Sequence, residues 1–304
     1  MRLVVLGANG QIGRELTRSL TPLGDVVALD RAGCDLARLD MIPGVVHNTR
    51  PDVLVNAAGY TAVDKAETDE ALATLVNGTA PGVIAHEARK VGALLVHYST
   101  DYVFDGAKPG PYVEDDPVVP LGVYGASKEA GEAAIRTRYA RHVILRTAWV
   151  FGVHGNNFVK TMLRLGAERP TLGIVADQRG CPTEAADIAR VIARIAATLL
   201  GPDKAAGRFG TFHYVGEPAT TWHGFAEAIF RRVAARGRTV PILNAIATAD
   251  YPTSARRPAN SVLATDKLAR AYGIAPCDWQ VALDRVIAGL LDAPQPAATA
   301  GSGR

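Results

Sequence analysis

Through the first 150 residues, short β-branched runs alternate with longer stretches of helical spacing. Arg2–Leu6 is a continuous apolar run that predicts a strand, and glycines lead from it into a helix predicted over Gln11–Ser19. Val26–Asp30, Val53–Ala58, Ala93–Ser99 and His142–Val150 predict further strands, with helices over 69–90 and Val123–Tyr139 between them. Strands apolar on both faces and separated by helices call for a parallel sheet covered on both sides. The expected fold is therefore α/β, a doubly wound parallel sheet.

Beyond residue 150 the alternation loosens. Helical spacing recurs at 157–168, 184–200, 222–236 and 278–292, with strands at Leu172–Ala176 and Thr211–Val215 and a Pro/Arg-rich loop at 250–260. A chain of 304 residues suits two units better than one core. Residues 1–150 are expected to form the first. Residues 151–292 are expected to form mainly a smaller α/β substrate lobe, with segments returning to the core. The Pro-, Ala-, Gly- and Ser-rich tail 293–304 predicts disorder.

Composition removes several classes of function. No apolar run approaches the roughly 18 residues of a spanning helix, so no membrane partner is expected. The apolar part of Met1–Gly7 is too short for a signal peptide. Cys34, Cys181 and Cys277 are scattered and form neither a disulfide framework nor a metal cluster, which reads as cytoplasmic. The net charge of +3 divides into −3 over residues 1–150 and +6 over the remainder. The basic residues form no dense run, so the excess points away from nucleic acid and toward a small anionic partner.

The first strand runs into Gly7-Ala8-Asn9-Gly10-Gln11-Ile12-Gly13. Glycine is needed where the chain turns sharply, where backbone approaches a pyrophosphate and where helix packs closely on strand. The following helix N-terminus offers free N–H groups to phosphates. Asp30 ends the second strand about twenty residues on, where an acidic residue accepts from ribose hydroxyls. The first unit therefore reads as an NAD(P)-binding Rossmann domain. Asp30 favours NADH and Arg31 favours NADPH, so the choice between them stays open.

Tyr124-Gly-Ala-Ser-Lys128 places a phenol and an ammonium on one helix face. A ketone reductase needs a proton donor at the oxygen that becomes an alkoxide, and a nearby lysine is expected to lower the tyrosine pKa toward neutrality. Thr100 ends the fourth strand, where ligands of open α/β sheets sit, and its hydroxyl can serve both substrate and Tyr124. Trp149, at the end of the fifth strand, is placed to cover a substrate. Arg256 and Arg257 are either a fork for diphosphate oxygens or an exposed loop pair. His97 reads as a core or sheet-face residue.

These motifs, with Asn56–Glu67, Ser99–Gly106 and Arg146–Gly152, resemble the extended short-chain dehydrogenase/reductases. Gly155–Phe158, Asp177–Thr183, Thr220–His223 and Ala255–Ser261 extend the likeness to about residues 2–292 and narrow it to the branch that reduces dTDP-sugars. The resemblance implies hydride delivery from NAD(P)H to C4 of dTDP-4-dehydro-β-L-rhamnose, giving dTDP-L-rhamnose for polysaccharide synthesis. It implies Tyr124 as proton donor, Lys128 as its partner and Thr100 as the hydroxyl that tunes the tyrosine. Gly10, Gln11, Ile12, Asp30, Asp35, Leu36, Gly59, Tyr60 and Thr61 match cofactor positions, and Thr100, Asp101 and Trp149 match sugar-nucleotide positions. Some relatives are Mg2+-linked homodimers, and Glu15 matches one acidic position; its partners are not clear in this sequence, so no metal site is assigned. The alternatives are another NDP-sugar 4-ketoreductase or epimerase of the same family, or a non-catalytic NAD(P)-binding regulatory subunit.

Overall fold

Residues 1–201 and 208–292 are described by a computed structural model. Within residues 1–150 the apolar runs become β1 (Arg2–Leu6), β2 (Asp25–Leu29), β3 (Val53–Asn56), β4 (Leu94–Thr100) and β5 (His142–Thr147), with β6 (Val150–Phe151) just beyond. Short strands β7 (Thr171–Val175), β8 (Arg179–Gly180) and β9 (Thr183–Glu184) follow, then β10 (Gly210–His213), β11 (Thr220–Thr221) and β12 (Ile242–Ile246). The main sheet has the order β10-β5-β4-β3-β1-β2, and every pairing in it is parallel. All residues of β3, β4 and β5 are buried, as a sheet covered on both faces requires.

The first helices are α1 (Gln11–Leu20), α2 (Met41–Thr49), α3 (Val63–Ala66), α4 (Glu70–Thr74), α5 (Ala80–Val91) and α6 (Val123–Arg138). They are followed by α7 (Phe158–Glu168), α8 (Ala185–Leu200), α9 (Trp222–Ala234), α10 (Asp266–Tyr272) and α11 (Trp279–Leu291). One face of the sheet packs on α1 and α8 through Leu3, Val5, Leu16, Leu20, Ile188 and Ile192. The other packs on α2 and α5 through Val4, Leu6, Ile42, Val46, Ile84 and Ala88. A separate core of Phe151, Met162, Leu172, Phe225, Ile229 and Leu283 holds α7, α9 and α11 together as the smaller lobe.

The chain beyond 150 supplies the sixth strand, β10, and the covering helix α8, so the main sheet is completed by the second half. Three sequence expectations need correction. The strand read through Val150 stops at Thr147, because Trp149 takes a left-handed backbone (φ 49°) and β6 starts a new direction. The helix read over 69–90 contains a π-helical turn, Leu75–Thr79, between α4 and α5. Helices α2 and α10 and strand β12 were not expected. The tail from residue 293, expected to be disordered, lies outside the described residues.

Candidate active site

The glycine loop is shaped by contacts that exclude side chains. Gly7 has φ 81°, and a Cβ there would stand 2.7 Å from Ala58 Cα. A Cβ on Gly13 would stand 2.1 Å from the Gly7 carbonyl oxygen, so α1 meets the loop with no room for a methyl group. Gly10 begins α1 without a side-chain cap, which leaves the first helical N–H groups available to an anion. Asp30 follows β2 directly. Its carboxylate accepts from Asn9 Nδ2 at 2.9 Å and from the backbone N–H of Ala32 and Gly33. Arg31 pairs with Asp35 at 3.3 Å, and Leu36 turns its side chain into the core beside Val4 and Ile42. A cavity of about 420 Å³ opens beside the loop, lined by Asn9, Arg14, Asp30 and His154 among others; it reaches neither Tyr124 nor Lys128.

Asn77 and Ser127, to which the sequence reading gave no role, hold this end in place. Asn77, turned inward by the π-helical turn, accepts from Tyr60 N at 2.8 Å and donates to Tyr60 O at 2.9 Å. Its Nδ2 also reaches Ser127 Oγ, which donates to the Tyr124 carbonyl. The Gly59–Tyr60 segment is thereby tied to the helix that carries the tyrosine, while Thr61 stays exposed. Gln11 performs a similar task across the halves: it donates to Asn156 O at 3.1 Å and accepts from Asn157 Nδ2 at 3.0 Å. Ile12 packs against the core below the loop.

Thr100 and Asp101 lie at the carboxyl end of β4, both buried. Thr100 Oγ1 donates to Asp101 Oδ1 at 3.0 Å and accepts from Tyr102 N. Burial raises the Asp101 carboxyl to about 6, against hydrogen bonds from Ser261 and Thr100. Tyr124 starts α6 half-buried, its ring edge-on to Tyr102 with centroids 5.5 Å apart. Its phenol is pushed well up by burial and then by the Asp101 carboxylate, while a hydrogen bond with Thr100 pulls the other way.

That outcome corrects the expectation that Lys128 would bring the phenol toward neutrality. The lysine nitrogen donates to the Tyr98 carbonyl and lies 3.5 Å from His97 Nε2, and Lys128 is not among the groups that shift the phenol. Lys128 itself is lowered to about 8 by burial, with Glu132 one helical turn away opposing the shift. It therefore stays an ammonium at neutral pH.

The second half reaches this site in two places. Trp149 stacks on Trp222 at 3.6 Å between centroids and 11° between planes, and a Cβ on Gly180 would stand 2.4 Å from the Trp149 indole. Arg257 donates to Tyr102 Oη at 2.8 Å and to Asp64 Oδ2 at 2.6 Å, and Asp64 also accepts from Ala255 N. Both terminal nitrogens of Arg257 are thus engaged in holding the 250–260 loop against Tyr102. Arg256 is exposed. Arg164, Arg190, Arg232, Arg236 and Arg285 pair with carboxylates of the same half, and Arg257 pairs with Asp64 of the first half.

Glu15 has its partners within this chain. Its carboxylate pairs with Arg18 at 2.7 Å and faces His154 at 3.6 Å, and the described residues contain no group of three or more ligating side chains suited to a metal ion. None of their helices is long and apolar enough to cross a membrane.

A family model described as RmlD substrate binding domain matches residues 1–291. The chain is 48% identical to a dTDP-4-dehydrorhamnose reductase of Burkholderia thailandensis, over 96% of this chain and 99% of that one. It resembles the crystal structure of a dTDP-4-dehydrorhamnose reductase from Clostridium acetobutylicum at TM-score 0.89 and 35% identity, covering 95% of this chain and 99% of that one. A second similar structure is the Bacillus anthracis dTDP-4-dehydrorhamnose reductase in complex with NADP, at TM-score 0.86 and 35% identity with the same coverage.

Proposed function

The chain belongs to the dTDP-4-dehydrorhamnose reductase family, and on that premise we propose that it reduces the C4 ketone of dTDP-4-dehydro-β-L-rhamnose to dTDP-L-rhamnose with NAD(P)H. This is the last step in making dTDP-rhamnose. The observation that carries the reading is the gathering of Thr100, Asp101 and Tyr124 at the carboxyl end of β4, with Lys128 one turn along α6, in a chain similar to such reductases over nearly its whole length. A reductase or epimerase acting on another NDP-sugar, or a regulatory subunit without turnover, is not favoured by that similarity.

The glycine loop of Gly7, Gly10 and Gly13 would hold reduced nicotinamide dinucleotide, which when bound would supply the hydride for C4. Tyr124 keeps its proton through the neutral range, because burial and Asp101 both disfavour the phenolate. It gives that proton to O4 as negative charge develops there. Thr100, hydrogen-bonded to Tyr124, supports the phenolate that remains by turning its one hydroxyl hydrogen from Asp101 to it, and Lys128 contributes an ammonium one turn along the same helix. Trp149, flattened between Trp222 and Gly180, covers the sugar; Arg257 positions the 250–260 loop over Tyr102. Gly7 and Gly13 shape the cofactor cradle, Gly10 leaves its helix end open, and Asp30 receives the adenosine ribose.

The ketone substrate, generated in situ by the upstream dehydratase and epimerase, should consume reduced nicotinamide stoichiometrically. No turnover with either NADH or NADPH would overturn the assignment. We place the reaction in the cytoplasm, in keeping with three free cysteines, and propose no nucleic-acid partner. The homodimer implied by the resemblance is checked by sedimentation equilibrium.

A further inference from the structure

His97 sits on β4, 1% exposed, directly across the strand pairing from Asn56 on β3. Asn56 Oδ1 accepts from Ala58 N at 3.2 Å, which leaves its Nδ2 to face His97 Nδ1 at 3.1 Å. An amide N–H pointing at Nδ1 requires a lone pair there, so a neutral ring carries its proton on Nε2. Burial, Lys128 and His142 all disfavour the charged ring, so the ring is neutral. The Nε2–H then faces Lys128 Nζ at 3.5 Å, a donor opposite a donor. An ammonium finds no acceptor on that ring and donates to the Tyr98 carbonyl. The charged group acting on Lys128 is Glu132 on α6, paired with Arg146 of β5 and, unlike the ring, attractive to the ammonium.

We propose that His97 is a positioning residue for Lys128: held by Asn56 as the Nε2–H tautomer, it refuses the ammonium a hydrogen bond and so directs the lysine nitrogen to the Tyr98 carbonyl. The ring dipole also makes the ammonium easier to deprotonate than burial alone would. This inference rests on the proposed role of Lys128 for its effect on rate, but not for the tautomer.

Two measurements on the full chain test it. In ¹⁵N spectra at neutral pH without substrate, His97 should show a pyridine-type Nδ1 and a pyrrole-type Nε2. A proton on Nδ1, or an imidazolium, overturns the proposal whether or not the enzyme turns over. In the pH profile of kcat/KM, His97→Phe keeps the ring volume but removes the opposing N–H. Its basic limb should move upward by about half a unit or more. A merely structural role would lower the rate at all pH values and leave the limb in place, and that result also overturns the proposal. Should His97→Phe fail to fold, Asn56→Asp replaces the amide by an acceptor of the same shape. It should transpose the two nitrogen signals and move the limb the same way; unchanged signals would count against the proposal.

Discussion

The proposed cofactor end and the proposed substrate end of this site are built by different means. The cradle at the cofactor end is made of backbone, with side chains such as Asn77 and Gln11 only bracing it: glycines where no Cβ fits, an uncapped helix terminus, and one strand feeding one helix within a dozen residues. The substrate end is made of side chains brought from distant segments. Arg257 reaches Asp64 across 193 residues of sequence, and Trp149 is held by Trp222 and Gly180. The first arrangement tolerates little change at any one position. The second distributes its precision over contacts that can be removed singly.

The largest test lies where the two ends meet. Tyr124→Phe should lower kcat by about 10²–10⁴ while cofactor affinity stays within about twofold, read by fluorescence titration of reduced nicotinamide. Equal loss of both would mean that the tyrosine serves binding and not proton transfer.

Asp101 gives a stability test with a defined sign. Its folded pKa is raised to about 6, so its favourable contribution is present below the unfolded value and is lost as pH rises through about 6. Asp101→Asn should therefore gain on the native chain between pH 4.5 and 7.5, by about 2 kcal/mol in urea unfolding. Parallel stability profiles for the two proteins would show that the carboxyl is not held in this way.

Gly180→Ala should push Trp149 out of its stack and raise KM for the sugar nucleotide about tenfold, leaving KM for the cofactor unchanged. An equal rise in both would dissolve the distinction between the ends. The smallest effect is expected at Arg31, which Asp35 already engages at the surface. Arg31→Ala should alter the NADPH:NADH ratio of kcat/KM by only a few fold. A change near a hundredfold would mean that the guanidinium leaves Asp35 to hold a phosphate.

The same contrast decides what could be read from sequence. The strand–glycine–helix unit and the Tyr124/Lys128 spacing are local, so period and spacing were enough to find them. Asn77 was missed because its value comes from a π-helical turn, and a single inserted residue hardly disturbs an amphipathic pattern. Asp64 and Tyr102 lay inside motifs already quoted, but their partner Arg257 is too distant in sequence for spacing to suggest it. Helix α2 was hidden by Pro43 and Gly44, which look like turn residues; Pro43 falls in the first turn, where its missing N–H costs nothing. The tilt of Trp149 out of its strand depends on the left-handed backbone there, for which a tryptophan gives no advance signal.

The sixth strand also bears on how the chain is made. When synthesis has reached residue 150, β5 has a partner on one side only, and β10 ends more than sixty residues later. At translation rates of about 5–20 residues per second, the open edge of β5, a strand buried along its whole length in the finished fold, waits several seconds for its cover. A fragment ending near residue 150 would keep that edge permanently and should aggregate rather than fold as a soluble nucleotide-binding piece.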